Sequence, residues 1–217
     1  MAKKLSGDIR REQIADAALL ISAKKGVRAV TVAAVAKQVG IAPSAVYRHM
    51  DGREAILKAA MDLLTDRMLA ALRHAREVCE NPLDVIEMFL DGIIEHVLAG
   101  RASPRVIFSD EIFSSPETGS SSCLKFLKAI QEELVSLIVE GQQAGCIRTD
   151  IQARRIGIMI VGVYSPSIIL YHATQGEFDI KDQIKIGWKM FRQALDPKNG
   201  EEGNFDGMVA DADVPAT

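Results

Sequence analysis

The chain has 217 residues, 48% hydrophobic and 25% charged. That leaves room for one large core or a small module beside a larger one, and it excludes a multidomain assembly, a disordered chain and a fibre. The net charge of -3 hides a division: residues 1–58 hold eleven Lys/Arg against five Asp/Glu, and the remaining 159 hold fifteen against twenty-four. A basic head on an acidic body points to a polyanionic partner for the head.

Apolar residues recur at helical spacing throughout and strand-like alternation is absent, so the fold class is all-α. The first helix is predicted over residues 7–25, burying Ile14, Ala17, Ala18 and Ile21 and closed by Gly26. Thr31 then caps a short helix to about Val39, and Gly40 stops it. Pro43 opens a third helix to about Met50, in a first-turn position that tolerates proline. Asp51, with Glu54 three residues on, reads as a capping box starting a long helix through Ile56, Leu57, Ala60, Leu63, Leu64, Met68 and Leu72.

A fifth helix follows Asn81-Pro82, carries Leu83, Ile86, Phe89, Leu90, Ile93, Ile94 and Val97, and ends at Gly100. An apolar segment runs from Ser103-Pro104 to about Phe113, and the serine-rich stretch 114–122 reads as a loop. Helices are predicted over about 123–144, 151–173 and 179–195, the last presenting Ile180, Ile184, Trp188 and Phe191 on one face. After Asp196, glycines and carboxylates replace apolar residues, the composition of a disordered acidic tail. The expected organisation is a helix-turn-helix domain over 1–58, a helical body over 59–196 and a tail over 197–217.

Cys79, Cys123 and Cys146 form no CxxC pair and lie at no metal-ligand spacing, so reduced thiols are expected and neither a metal nor a cofactor. Met1 to Arg11 has charges with no apolar stretch behind them, so a cytoplasmic location is expected. Ile156 to Tyr171 carries no charge, but it falls short of the ~20 residues of a membrane span, contains Ser165, Pro166 and Ser167, and follows Arg154 and Arg155. Such a helix belongs in a core or in a subunit interface.

The two short helices over 31–39 and 43–50, joined through Gly40-Ile41-Ala42, have the proportions of a helix-turn-helix whose second helix enters a major groove. Its first turn is small enough for close approach: Pro43 starts it, Ser44 can bond a base or phosphate, and Ala45 can touch a thymine methyl. Arg48 carries five donors in a fixed fork suited to bidentate guanine readout. Thr31 and Arg53, at helix N-termini, are expected to clamp phosphates on either side of the groove. Lys3, Lys4, Arg10 and Arg11 form a candidate basic arm. Core packing for Tyr47, an exposed neutral side chain for His49 and a solvated charge for Arg48 remain the alternatives.

The series Ile14, Ala17-Ala18, Ile21, Gly26, Thr31-Val32, Val35-Ala36, Val39-Gly40-Ile41-Ala42-Pro43-Ser44-Ala45-Val46-Tyr47-Arg48-His49-Met50 and Arg53-Glu54-Ala55-Ile56-Leu57 resembles the N-terminal domain of the TetR/AcrR regulators. The resemblance covers about residues 8–58. It departs at Ser22 and Met50, where the family usually has Phe, near Val27 (an aromatic), at Val30 (a hydroxyl) and at Ala42 (Ser or Thr). The resemblance implies that Tyr47 and His49 hold phosphates and that double-stranded DNA is the partner. It also implies that the body binds a small ligand and dimerises, with the last two helices of each subunit forming a four-helix interface.

A ligand pocket is expected among the middle helices, lined by Phe89, Phe108, Phe113, Phe126, Tyr164 and His172, and its aliphatic character suits an apolar ligand. Enzymatic motifs are missing: Ser22-x-x-Lys25 and Ser122-x-x-Lys125 lack their partner motifs, and no P-loop, G-x-S-x-G or H-E-x-x-H occurs. The expected function is a dimeric repressor released from a palindromic operator by its ligand. A helical small-molecule carrier or adaptor without DNA binding is the alternative.

Overall fold

The computed structural model describes residues 7–100 and 119–200. Among them are eight α-helices and no strand: α1 (Gly7–Lys25), α2 (Val32–Val39), α3 (Pro43–Tyr47), α4 (Gly52–Val78), α5 (Pro82–Leu98), α6 (Gly119–Gln143), α7 (Ala153–Ala173) and α8 (Ile180–Ala194). One-turn 3-10 helices lie at Val27–Ala29 and Pro197–Gly200.

Local chemistry sets the head. Ile14, Ala17, Ala18 and Ile21 of α1 are buried as predicted. Thr31 caps α2 by accepting from the Ala34 amide at 3.1 Å. Gly40, at φ 77°, is left-handed, a conformation that costs glycine nothing and lets its amide close on Ala36. Val35, Ala36, Val46 and Met50 join one core with α1, together with Val27 and Val30, so three of the positions where the family has an aromatic or a hydroxyl, Val27, Val30 and Met50, carry apolar side chains here.

Two sequence expectations are corrected in the head. Helix α3 ends at Tyr47 instead of about Met50. Asp51 makes no side-chain cap; at φ -82°, ψ 62° it is the centre of an inverse γ-turn in which the Gly52 amide donates to the Met50 carbonyl at 2.9 Å. That backbone differs from the extended conformation from which a cap side chain reaches the first turn.

Helix α4 runs unbroken from the head into the body, packing on α1, then on α5 and α6. Arg67 donates to Asp16 at 2.6 Å, fastening α4 to α1. Farther along, Arg76 grips Glu140 of α6 through contacts of 2.9–3.0 Å to both oxygens. Helices α6 and α7 approach closely at Gly157, where a Cβ would stand 2.7 Å from Gln131 Nε2. The α6–α7 connection is tied to the end of α8 by buried Arg148, which pairs with Asp150 at 2.7 Å and donates to the Ala194 carbonyl at 3.2 Å.

Helix α6 starts at Gly119, so the tail of the predicted 114–122 loop is its first turn; the rest of that loop and the segment from Ser103 to Phe113 lie outside the described residues. Of the predicted tail, Pro197–Gly200 is a 3-10 turn, with Asn199 Nδ2 donating to the Gln193 carbonyl at 2.8 Å. Residues beyond 200 lie outside the described residues.

Helix α7 has the length and apolar character of a membrane span, yet it packs on α6 and α8 with Ile156, Ile160, Tyr164 and Ser167 buried. Its other side leaves Ile158, Met159, Ile169 and Leu170 exposed. In α8 the predicted stripe faces inward, with Ile180, Ile184 and Trp188 buried and Phe191 half-buried. Ile186 and Met190 are exposed.

Candidate DNA-reading head and ligand cavity

Helix α3 buries one side chain, Val46, and turns the rest of its short length outward. Pro43, Ser44, Tyr47 and Arg48 are exposed, and Ala45 and His49 are half-buried. Tyr47 is 58% exposed, which removes core packing as its role. Ala42 precedes the helix without a side-chain cap. Thr31 uses its oxygen on the Ala34 amide, and a hydroxyl that accepts there keeps its own hydrogen to donate.

Arg53 differs from expectation. It is half-buried and donates from Nε to the Val30 carbonyl at 2.8 Å and from Nη2 to the Val27 carbonyl at 3.0 Å. Its planar fork therefore staples the start of α4 to the turn that leads into Thr31 and α2. The sequence reading missed this role, because the carbonyls lie 23 and 26 residues away. Arg10 and Arg11 belong to α1, and Arg10 donates to Gln13 Oε1 at 2.9 Å, so neither is part of a free arm. Lys3 and Lys4 lie outside the described residues.

A cavity of about 810 Å³ lies among α4, α5, α6 and α7, within the ~300–1,000 Å³ range of small-molecule sites. Phe89, Phe126 and Tyr164 line it as expected, and so do Leu64 and Met68 of α4. His172 is not on its wall; it stacks edge-on with Tyr171, ring centroids 5.5 Å apart. Phe108 and Phe113 lie outside the described residues. Burial pushes the Tyr164 phenol well above its ordinary range, with Asp91 and Glu87 adding to the shift, so it stays protonated.

Behind the cavity, α5 presents Asp84, Glu87 and Glu95 to a basic row on α8. Arg192 pairs with Asp84 at 2.6 Å and Glu87 at 2.8 Å, and Lys181 with Glu95 at 2.7 Å. Asp91, between them, has its carboxyl raised by burial and by Glu87 and Glu95, opposed by Lys181 and Lys185.

An all-helical chain with an N-terminal helix-turn-helix and a hollow helical body has the architecture of a one-component transcriptional regulator. Residues 14–66 match the family described as bacterial regulatory proteins, tetR family. The match takes in the helix-turn-helix and the first half of α4, so the head of this chain is a tetR-type regulatory domain. It is 24% identical over 170 residues to the fatty acid metabolism regulator protein of Bacillus subtilis (strain 168), covering 77% of this chain and 86% of that one. It is 24% identical over 210 residues to the HTH-type transcriptional regulator SrpR of Pseudomonas putida, covering 89% and 91%. Its fold matches the crystal structure of FadR from Bacillus subtilis in complex with stearoyl-CoA with a TM-score of 0.68, at 20% identity over 85% of this chain and 98% of that one.

Proposed function

We propose that the protein is a cytoplasmic homodimeric repressor that binds a palindromic operator and is released by a small, largely apolar ligand. The observation that carries the DNA-binding part is the surface of α3, where Val46 alone faces inward and Ser44, Tyr47 and Arg48 stand clear of the protein. Arg48 reads guanine, Ser44 and Ala45 meet base edges, and Tyr47, His49 and Thr31 hold phosphates. The α4 N-terminus adds its backbone amides, and Arg53 supports the geometry from behind.

Dimerisation is supported by the exposed apolar residues Met159, Ile169 and Leu170 on α7 and Ile186 and Met190 on α8. The two helices pack together, closely enough that a Cβ on Gly187 would stand 3.0 Å from Val163. Two copies joined there repeat the head about a two-fold axis, which a palindromic operator mirrors.

The ligand part is supported by the fold likeness to a protein solved with stearoyl-CoA and by α4, which lines the cavity at Leu64 and Met68. From there to Arg53 is 11 to 15 residues of continuous helix, about 16–22 Å. A ligand that tilts α4 moves the stapled head with it, and the shift it supplies is bounded by its differential affinity for the two conformations.

The test is selection of bound DNA from a random pool, followed by affinity for the selected site and a scrambled one at two salt concentrations. Wild type should prefer the selected site and lose affinity steeply with salt. Arg48→Ala should narrow the preference, whereas Tyr47→Ala should weaken both sites alike. Negligible DNA affinity at low salt would leave the carrier alternative.

A further inference from the structure

We propose that the cavity takes an anionic amphipath: an aliphatic chain among α4, α5, α6 and α7, with an acid group, carboxylate or phosphate, held between Lys128 and Arg154. This rests on the reading of the cavity as a ligand site and adds the chemistry and orientation of the ligand.

The inner wall is hydrocarbon, formed by Leu64, Phe89, Leu90, Ile93, Leu134 and Ile160. The neutral polar groups around it mostly serve the protein. Ser165 Oγ donates to the Val161 carbonyl at 3.0 Å, and Gln131 Nε2 donates to the Arg154 carbonyl at 3.1 Å. The Tyr164 hydroxyl is buried and without a hydrogen-bond partner among the described residues, but the carboxylates nearest to it electrostatically are Asp91 and Glu87, which repel an acid group from that end. Those carboxylates do not call for a cationic ligand either: Arg192 pairs with Glu87, and Lys181 and Lys185 act on Asp91. A charge of either sign placed at the inner end would be desolvated without a counterpart.

The other end is different. Leu124, Lys128, Arg154 and Ile158 line the cavity and are exposed, which puts its opening between α6 and α7. Lys128 and Arg154 form no ion pair among the described residues, and Glu132 is the only carboxylate on the described wall. The opening therefore carries an excess of positive charge at the edge of an apolar interior. An acid group there keeps part of its hydration and gains two cations while its chain leaves water.

The experiment loads the full-length protein with the neutral dye N-phenyl-1-naphthylamine. The dye is then displaced with dodecanoate, dodecyl phosphate, dodecan-1-ol or dodecyltrimethylammonium, all below their micellar concentrations. The two anions should displace dye at concentrations roughly tenfold below those of the alcohol and the ammonium, the size expected of two partly exposed charge contacts. Their order identifies the acid group. Lys128→Glu with Arg154→Glu should erase the anion preference and favour the ammonium, with the alcohol unchanged; Lys128→Ala with Arg154→Ala checks the result without reversing charge. Equal displacement by alcohol and anions in wild type, or an anion preference that survives both double variants, overturns the proposal while leaving the cavity a ligand site. If the dye fails to bind, or if Ile93→Trp and Val161→Trp together, which narrow the cavity from the α5 and α7 sides, leave its binding intact, the ligand-site reading falls and the proposal with it.

Discussion

The head and the body of this protein are built on opposite plans. In the head, short helices are started and stopped by local devices, a threonine cap and a left-handed glycine, and small side chains such as Ala17, Ala18 and Val46 are buried between them. In the body, long helices are held at their ends and backs by Arg76–Glu140, Arg148–Asp150 and the α5–α8 ion pairs, around a space they do not fill. A reading surface has to keep its side chains in register with a groove, which favours rigidity. A sensor has to admit a molecule and move, and leaving the centre empty permits that. Helix α4 belongs to both plans.

The largest expected effect breaks the contrast at its outer edge. If the exposed apolar faces of α7 and α8 are the dimer contact, Ile186→Asp with Met190→Lys should weaken self-association roughly hundredfold or more, as for central interface positions. Operator affinity should fall with it. Sedimentation velocity across a concentration series reads the first quantity and fluorescence anisotropy on operator DNA the second. An unchanged dimer would mean that this face is not the interface.

The junction comes next. Arg53→Ala removes two hydrogen bonds from a charged donor to the Val27 and Val30 carbonyls, which predicts a loss of about 2 kcal/mol in urea unfolding. Binding to matched and scrambled DNA should fall equally. Arg53→Lys should recover little, because a single ammonium cannot reproduce the planar fork. Full stability in the alanine variant would mean that the staple does not join head to body.

A smaller effect tests how the body is held. Arg76→Ala should cost about 1 kcal/mol, the upper end for a partly exposed pair with bidentate geometry. Its pH dependence is specific: the Arg76 hydrogen bond holds the Glu140 carboxyl below the ordinary glutamate range, against the opposing effect of burial. A depressed folded-state value stabilises the protein above the unfolded value and is lost as pH falls through the folded one. Wild type and Arg76→Ala should therefore differ at neutral pH and converge in acid. A difference that persists below the carboxylate range would assign the loss to packing of the arginine stem.

The same division decides what could be read from the sequence. Helix α1, the Thr31 cap and the Gly40 stop follow from residues within a few positions of each other, and the structure has them where the spacing puts them. Asp51 misled because a capping box is a pattern of residue types, and the γ-turn at Asp51, followed by Gly52 at φ 87°, takes the backbone out of capping geometry. In α7 every face is apolar, so periodicity cannot say which side turns inward. In α8 the periodicity is clear, but it marks the core-facing side and leaves Ile186 and Met190 unannounced. The cavity was legible only as a set of aromatics. Its position depends on how four helices fail to meet, and Lys128 and Arg154 gain meaning only at its edge.

The smallest effect concerns an exception within the head. Ser22, where the family has an aromatic, is 1% exposed, and its hydroxyl has no hydrogen-bond partner among the described residues. Buried polar groups in that condition otherwise occur here on α4, α7 and α8, at Arg76 Nε, the Tyr164 hydroxyl and Trp188 Nε1. If a filled, hydrogen-bonded head is the rule, Ser22 departs from it, and Ser22→Ala should raise stability by about 1 kcal/mol by removing a hydroxyl that is desolvated without compensation. Urea unfolding should show a higher midpoint with an unchanged slope, because the surface exposed on unfolding is the same. Tyr164→Phe makes the same deletion in the body, where the hydroxyl borders a cavity. A gain at Ser22 with little change at Tyr164 would locate the cost of unmet polarity in the packed head. A loss at Ser22 would mean that the hydroxyl is held after all and that the head has no exception.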